Sequence, residues 1–204
     1  MSQLLVLCMV QAAILALQII TYFGSETLQH DLHDVSRPID ARIPLVPAAV
    51  SVYSLWFPLI ALFPISLYFS QAENYPSYQM SYIICIAISI ACYLIYPTTF
   101  VRPTPPDTFW GRRLKTIYKA SFRGLNCAPS LHCSSSFMIA WVALTSFQMP
   151  PALRVLYIVV ALGIVVSTML TKQHTVLDVV TALPVAALSL VLGTLSAESF
   201  PMPI

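Results

Sequence analysis

The sequence predicts an all-α fold, a polytopic membrane helix bundle with six transmembrane helices, and three observations carry that reading. The chain of 204 residues is 58% hydrophobic and 9% charged, with a mean hydropathy of +0.79. A water-soluble domain carries about 25% charged residues, so lipid is the natural solvent for most of this chain. The apolar residues form continuous runs such as YIICIAISIACYLIY, Tyr82–Tyr96, rather than the alternating pattern of a membrane barrel. The cations, finally, fall almost wholly on one side of the predicted topology.

About 20 apolar residues are needed for a helical span. Six stretches qualify: Leu4–Phe23, Pro47–Ser70, Tyr78–Tyr96, Ser130–Phe147, Pro151–Leu170 and Val176–Leu195. The first could be a signal sequence, but no basic residue precedes it and no small-x-small site follows, so it is read as a span. Pro64 and Pro184 are expected to kink their spans, and Gly163 and Gly193 to allow close helix contact. Trp56, Trp110 and Trp141 are read as belt and packing residues. No internal repeat is visible, and residues 1–204 are read as one membrane domain.

Two polar segments interrupt these runs. Residues 24–46 form a mixed-charge linker, and residues 97–129 hold most of the cations. With six spans, the loops after spans one, three and five share one side. That side collects Arg37, Arg42, Arg102, Arg112, Arg113, Lys115, Lys119, Arg123 and Lys172, against Arg154 alone on the other. The positive-inside rule assigns such a side to the cytoplasm, although cations kept to bind an anion would bias the count. The net charge of +2 and the lack of a basic tract argue against nucleic acid as a partner.

Five cysteines form no disulfide framework. Cys8, Cys85 and Cys92 sit in apolar runs as small hydrophobes; Cys127 and Cys133 could pair or bind metal, but no further ligand spacing supports it. The run His30-Asp31-Leu32-His33-Asp34 could ligate a metal and is read instead as a solvated interfacial loop. No metal and no cofactor is expected.

Chemistry is expected where ionisable groups meet span ends. Arg102-Pro103 follows span three, Pro129-Ser130-Leu131-His132 opens span four, and Lys172-Gln173-His174-Thr175-Val176-Leu177-Asp178 joins spans five and six. The topology brings all three to one membrane face. His174 and Asp178 are four apart and share a helix face, where a carboxylate can fix the imidazole tautomer, as a histidine nucleophile requires. Pro129 suits a helix start. A phosphate near Ser130 and His132 could use the free N–H groups of the first turn, and Arg102 and Lys172 could neutralise its oxygens. Taken singly, each piece has a plain structural reading: a capping histidine, a structural pair, a stray Arg-Pro.

Taken together, these residues resemble the type 2 phosphatidic acid phosphatase superfamily, whose signature is K-x6-R-P, then P-S-G-H, then S-R-x5-H-x3-D. Arg102-Pro103 matches the first part, Pro129-Ser130-Leu131-His132 the second, and Ser167, His174 and Asp178 the third. Ile95, Leu131 and Thr168 stand where the signature has lysine, glycine and arginine. Lys172 is expected to substitute for a missing cation, or Lys115, Lys119 or Arg123 to fold back.

The resemblance implies metal-independent hydrolysis of a lipid phosphate or diphosphate. His174 would be the nucleophile, Asp178 its orienting carboxylate and His132 the general acid and base. Arg102, Ser130, Leu131 and Lys172 would bind the phosphate. A lipid alcohol in place of water would make the chain a phosphotransferase related to sphingolipid synthases, whose motif also lacks that arginine. A non-catalytic lipid-binding protein is the alternative from another class; a transporter would need repeats and broken helices, which are not seen. The resemblance also implies an extracytoplasmic or lumenal site. That placement conflicts with the charge bias and is preferred to it, because the cations have a role in binding anion.

Overall fold

In hydrocarbon the backbone must satisfy its own polar groups, so long apolar runs fold as helices. A computed structural model, which describes residues 3–121 and 124–199, shows the result: a bundle of α-helices with almost no strand. The helices are α1 (Gln3–Leu28), α2 (Val50–Tyr53), α3 (Trp56–Phe69), α4 (Tyr75–Ile95), α5 (Phe109–Ala120), α6 (Leu131–Thr145), α7 (Pro151–Leu170) and α8 (Val176–Ser199).

Five segments are long and apolar enough to cross a bilayer: Gln3–Leu28, Pro47–Phe69, Tyr75–Ile95, Pro151–Leu170 and Val176–Ser199. The chain is therefore a multi-pass membrane protein. The stretch expected as the fourth of six spans is shorter than the sequence suggests. It forms α6, of 15 residues, about 22 Å long against a hydrocarbon core of about 30 Å. The apolar run begins at Ser130, but Ser130 caps the helix there and the chain before it is not helical. Leu125, Asn126 and Cys127 of that chain are buried in protein, the condition under which irregular backbone is tolerated at membrane depth.

The bundle packs through apolar side chains, with small and polar residues at the closest contacts. α8 lies against α4 and α6, α7 against α6 and α2, and α1 against α4 and α3. Phe63, Tyr78, Tyr82, Met138, Ile139 and Ile164 fill the centre. Ile20, Val159 and Val191 are instead at least 58% exposed, as side chains facing lipid should be. Inside, Gln11 donates to the Ile60 carbonyl at 2.9 Å, Gln79 to Gln11 at 3.2 Å, and the Tyr82 hydroxyl to Gln18 at 2.5 Å. Such bonds hold membrane helices together where burial of apolar area cannot. At Gly193 the backbone of α8 meets Ser81 of α4 so closely that a Cβ would overlap Ser81. Gly163 has only an ordinary contact, 3.5 Å from Val52. Pro64 and Pro184 lie inside helices that continue past them.

The polar segments are tethers. Residues His33–Asp34 (β1) pair in parallel with Thr98–Thr99 (β2), and the His33 ring stacks on Tyr96 at 4.0 Å. Asp34 accepts a bond from the Ser36 amide, and hydrogen bonding from Ser36 lowers its pKa. Asp40 Oδ1 accepts from Val176 N at 2.8 Å, at the start of α8, and Val46 N donates to the Leu170 carbonyl at the end of α7. The linker 24–46 thus clamps the turn that carries His174.

Candidate active site

The three sequence pieces converge as the topology requires. Around one cavity of about 150 Å³ lie Arg102, Leu131, His132, Gln173 and His174, with α1 supplying Gln18, Ile19, Tyr22 and Phe23. Tyr53, Trp56 and Phe57 form a third wall, and Ile117 and Ala120 of α5, with Ser121 just after it, a fourth.

His174 precedes the first turn of α8 and is 7% exposed; Asp178, one turn on, is fully buried. His174 Nδ1 lies 3.1 Å from Asp178 Oδ2. The same oxygen accepts from Thr175 N at 2.8 Å, and Oδ1 accepts from the Thr175 hydroxyl at 2.8 Å. A carboxylate can only accept, so the ring donates from Nδ1, and in the neutral imidazole Nε2 then carries the lone pair. An imidazole held in this way by a carboxylate has the arrangement a histidine nucleophile requires.

His132 sits at the second position of α6. Ser130 caps that helix, its hydroxyl accepting from Cys133 N at 3.2 Å. The Ser130 side chain is fully buried, so its hydroxyl serves the helix end, while the first-turn N–H groups of α6 have no partner within the helix. Pro129, after a cis peptide bond, is held by the Tyr93 hydroxyl, which donates to its carbonyl at 2.7 Å. The His132 ring stacks on Tyr53 at 4.8 Å and lies 4.0 Å from Trp56. Trp56 is pinned in turn, its indole N–H donating to Ser135 Oγ at 2.8 Å. The two imidazole centroids are 5.6 Å apart, close enough to act on one phosphorus.

Arg102 lines the same cavity. Its Nη1 donates to the carbonyl and hydroxyl of Ser121, both at 2.9 Å, and its guanidinium lies over the rings of Tyr118 and Phe100, 5.2 and 5.6 Å from their centroids. Its Nε has no hydrogen-bond partner among the described residues. The Tyr118 hydroxyl donates to the Thr171 carbonyl at 2.7 Å, and burial pushes its pKa up to about 12, Arg102 opposing, so it remains a phenol. Gly124, at φ 59°, turns the chain back beside Arg102 in a conformation that favours glycine.

Lys172 stands apart. It adopts φ 52° at the end of α7, and its ammonium donates to the carbonyls of Asp40 and Ile43 at 2.6 and 2.5 Å. Burial lowers its pKa and Asp40 opposes this. It does not line the cavity, so the expected substitute for the missing cation is turned to the linker. Thr168 is fully buried with its hydroxyl on the Val165 carbonyl, and Ile95 is 83% exposed at the end of α4. Lys115 and Lys119 line an outer groove with Arg112 and Asp107, while the apolar side of α5 faces the cavity. Arg123 lies outside the described residues.

Cys127 and Cys133 are free thiols, one donating to the Gly124 carbonyl and the other against Thr168. No three metal-ligating side chains are grouped among the described residues. Sequence reasoning missed Tyr53, Trp56 and Gln173. No sequence signal separates these aromatics from belt residues: Tyr53 ends α2, Trp56 opens α3, and only tertiary packing brings both rings to His132.

No curated protein and no solved structure matches the chain. The family model of the PAP2 superfamily, however, matches residues 27–192, a stretch that takes in both histidines, Asp178 and Arg102. The chain belongs to the PAP2 superfamily.

Proposed function

We propose that the chain transfers a phosphoryl group from a lipid phosphate or diphosphate to water, without a metal, through a phosphohistidine on His174. Superfamily membership supports phosphatase-type chemistry on lipid phosphates at a general level. The observation that carries the finer reading is the His174–Asp178 pair, 3.1 Å apart, whose imidazole lines a cavity together with His132.

In the first step His174 Nε2 attacks phosphorus and the bond from phosphorus to the lipid oxygen breaks. His132 gives its proton to the leaving alkoxide as general acid. Asp178 holds the Nδ1 proton and stabilises the positive charge that develops on the ring. Arg102 and the N–H groups of Leu131 and His132, in the first turn of α6, meet the charge on the phosphoryl oxygens. In the second step water attacks the phosphohistidine, His132 takes its proton, the N–P bond breaks, and inorganic phosphate leaves. Trp56 and Tyr53 hold the His132 ring for both transfers.

A lipid alcohol as acceptor is the second reading. It is favoured by walls that are largely apolar and by Ile19, Phe23 and Phe57, which line the cavity and are yet 53%, 48% and 57% exposed toward lipid. An acceptor chain could enter there. The site is placed on the extracytoplasmic or lumenal face.

The test is phosphate release from a panel of lipid phosphates by purified protein in detergent with EDTA, beside His174→Ala. Release that vanishes in the variant supports hydrolysis and names the substrate class. If no lipid is hydrolysed but labelled phosphate passes to an added lipid alcohol, the second reading replaces the first. Failure of both sinks the catalytic reading in favour of a lipid-binding role.

A further inference from the structure

The turn that carries His174 also places an amide on the cavity. Gln173 is 3% exposed, lines the cavity beside His174, and its Nε2 has no hydrogen-bond partner among the described residues. Buried amide donors are rarely left so. Elsewhere the chain pairs them: the side-chain nitrogens of Gln11, Gln29 and Gln79 donate to Ile60, Asn126 and Gln11.

The backbone explains why this side chain is available. α7 ends with Lys172 N on the Met169 carbonyl at 3.1 Å and Gln173 N on the Thr168 carbonyl at 2.9 Å, around the left-handed Lys172. This is the Schellman pattern. It satisfies the Gln173 backbone locally, sends Lys172 to the linker carbonyls, and leaves the Gln173 carboxamide on the cavity wall. Arg102, which lines the same cavity, has at Nε a second buried donor without a partner among the described residues. Both nitrogens are closed to water as the structure stands, and a small turn of either side chain would offer its N–H to an oxyanion beside the candidate nucleophile.

We infer that Gln173 Nε2 and Arg102 Nε bind two non-bridging oxygens of the substrate's phosphate, Gln173 supplying the donor that the signature's arginine supplies from the position of Thr168. The inference rests on the phosphoryl-transfer reading above, and it extends to any phosphate ester or phosphate-like oxyanion that enters the cavity. The bond strengthens as charge gathers on those oxygens, so Gln173 acts on kcat as well as on KM. Being neutral between pH 5 and 9, it leaves the pH profile to the histidines.

The experiment uses the full chain in lipid nanodiscs with EDTA and orthovanadate as the probe. Gln173→Met keeps the volume and removes the donor. Its dissociation constant for vanadate should rise at least ten-fold and kcat/KM fall by a similar factor, with the pH profile unmoved. Gln173→Lys, which keeps a donor, should stay within a few-fold of the parent. Should Gln173→Met not fold, the parent chain labelled with ¹⁵N in its glutamine side chains decides instead, since vanadate should shift the Gln173 amide signal. A parent that turns over lipid phosphate, beside a Gln173→Met chain that binds vanadate equally well, overturns the inference and leaves the phosphoryl-transfer reading standing. An unmoved Gln173 amide in a parent that binds vanadate does the same. A parent that binds vanadate through Gln173 but turns over no lipid keeps the inference and sinks the reading. A parent that neither binds nor turns over sinks both.

Discussion

Asp178→Asn separates the charge of the carboxylate from its shape. Asp178 Oδ2 faces two donors, His174 Nδ1 at 3.1 Å and Thr175 N at 2.8 Å, and Oδ1 faces the Thr175 hydroxyl at 2.8 Å. An asparagine must choose which site takes its oxygen. With the amide nitrogen at the Oδ2 site it would oppose a backbone N–H that cannot turn away. With the nitrogen at the Oδ1 site it meets a hydroxyl that can rotate and accept. The second orientation wins, and His174 keeps its Nδ1 proton and its tautomer. What is lost is the charge, which strengthens the bond to the ring and stabilises the cationic phosphohistidine. A hydrogen bond to a charged group contributes about 1.5–3 kcal/mol against about 1 for a neutral one, and the transition-state charge adds to the difference. We expect a loss of about 2–3 kcal/mol, roughly 30- to 150-fold in kcat, with KM little changed. The assay is phosphate release under EDTA, with thermal unfolding in the same detergent as a control. Had the asparagine turned the other way, the tautomer would be wrong and the loss near 10⁴-fold, as when a catalytic triad loses its aspartate in this way. An Asp178→Asn chain with full activity would refute the assignment of His174 as an oriented nucleophile. A loss equal to that of His174→Ala would refute the tautomer argument alone.

Four other expectations follow from the geometry. Arg102→Ala, which removes a cation from the cavity, should lower kcat/KM by about 10²-fold. Lys172→Met should leave activity within about five-fold but lower the unfolding midpoint, because its two bonds to the Asp40 and Ile43 carbonyls hold the linker to the α7–α8 turn; a larger loss for Lys172 than for Arg102 would restore Lys172 to the site. Gly193→Ala should cost about 1–3 kcal/mol by forcing α8 from Ser81, seen as a fall of several degrees in unfolding midpoint, whereas Gly163→Ala, 3.5 Å from Val52, should be tolerated. Arg112→Cys, at an exposed position on the outer side of α5, should react with an impermeant maleimide in intact cells; labelling only after permeabilisation would move the site to the cytoplasmic face.

The parts of the fold legible in the sequence were those that lipid dictates. Apolar run length gave the helices, because no other structure satisfies the backbone in hydrocarbon. It overran the far end of α6, Phe147 against Thr145, since hydropathy does not show where an apolar helix stops; the helix start was legible from Pro129 and Ser130 before it. The pairing of His174 with Asp178 was legible from their spacing, but they do not share a helix face: His174 lies before α8, and Asp178 turns back from its first turn to Thr175 N and to the ring. The fate of Lys172 was not legible. A lysine two residues before the histidine reads as a neighbour of the site, yet its left-handed backbone and the carbonyls of a linker some 130 residues earlier decide where the ammonium goes. Trp56 was illegible for the same reason: belt, core and cavity wall share one composition, and only the packing of α3 on α6 distinguishes them.

The departures from the signature become coherent once the turn after α7 is considered. Thr168 cannot reach the cavity, because it is buried and bonded within α7, but its carbonyl accepts both Gln173 N and His174 N, at 2.9 and 3.2 Å. The position that elsewhere carries a cation here shapes the turn through its backbone. That turn delivers a neutral amide to the cavity and directs a cation away from it. Arg102 is then the cationic side chain on the cavity among the described residues, fixed by Ser121 and packed over two aromatic rings, so it cannot swing out to water. A site that places little formal charge among largely apolar walls acts by fixed donors at low dielectric, where each bond to the phosphoryl oxygens is stronger than it would be in water. Such a site should also respond weakly to salt: raising ionic strength from 50 to 500 mM should change kcat/KM by less than about three-fold, because a buried charge is poorly screened. A steep fall with salt would instead assign substrate capture to the exposed cations of α5.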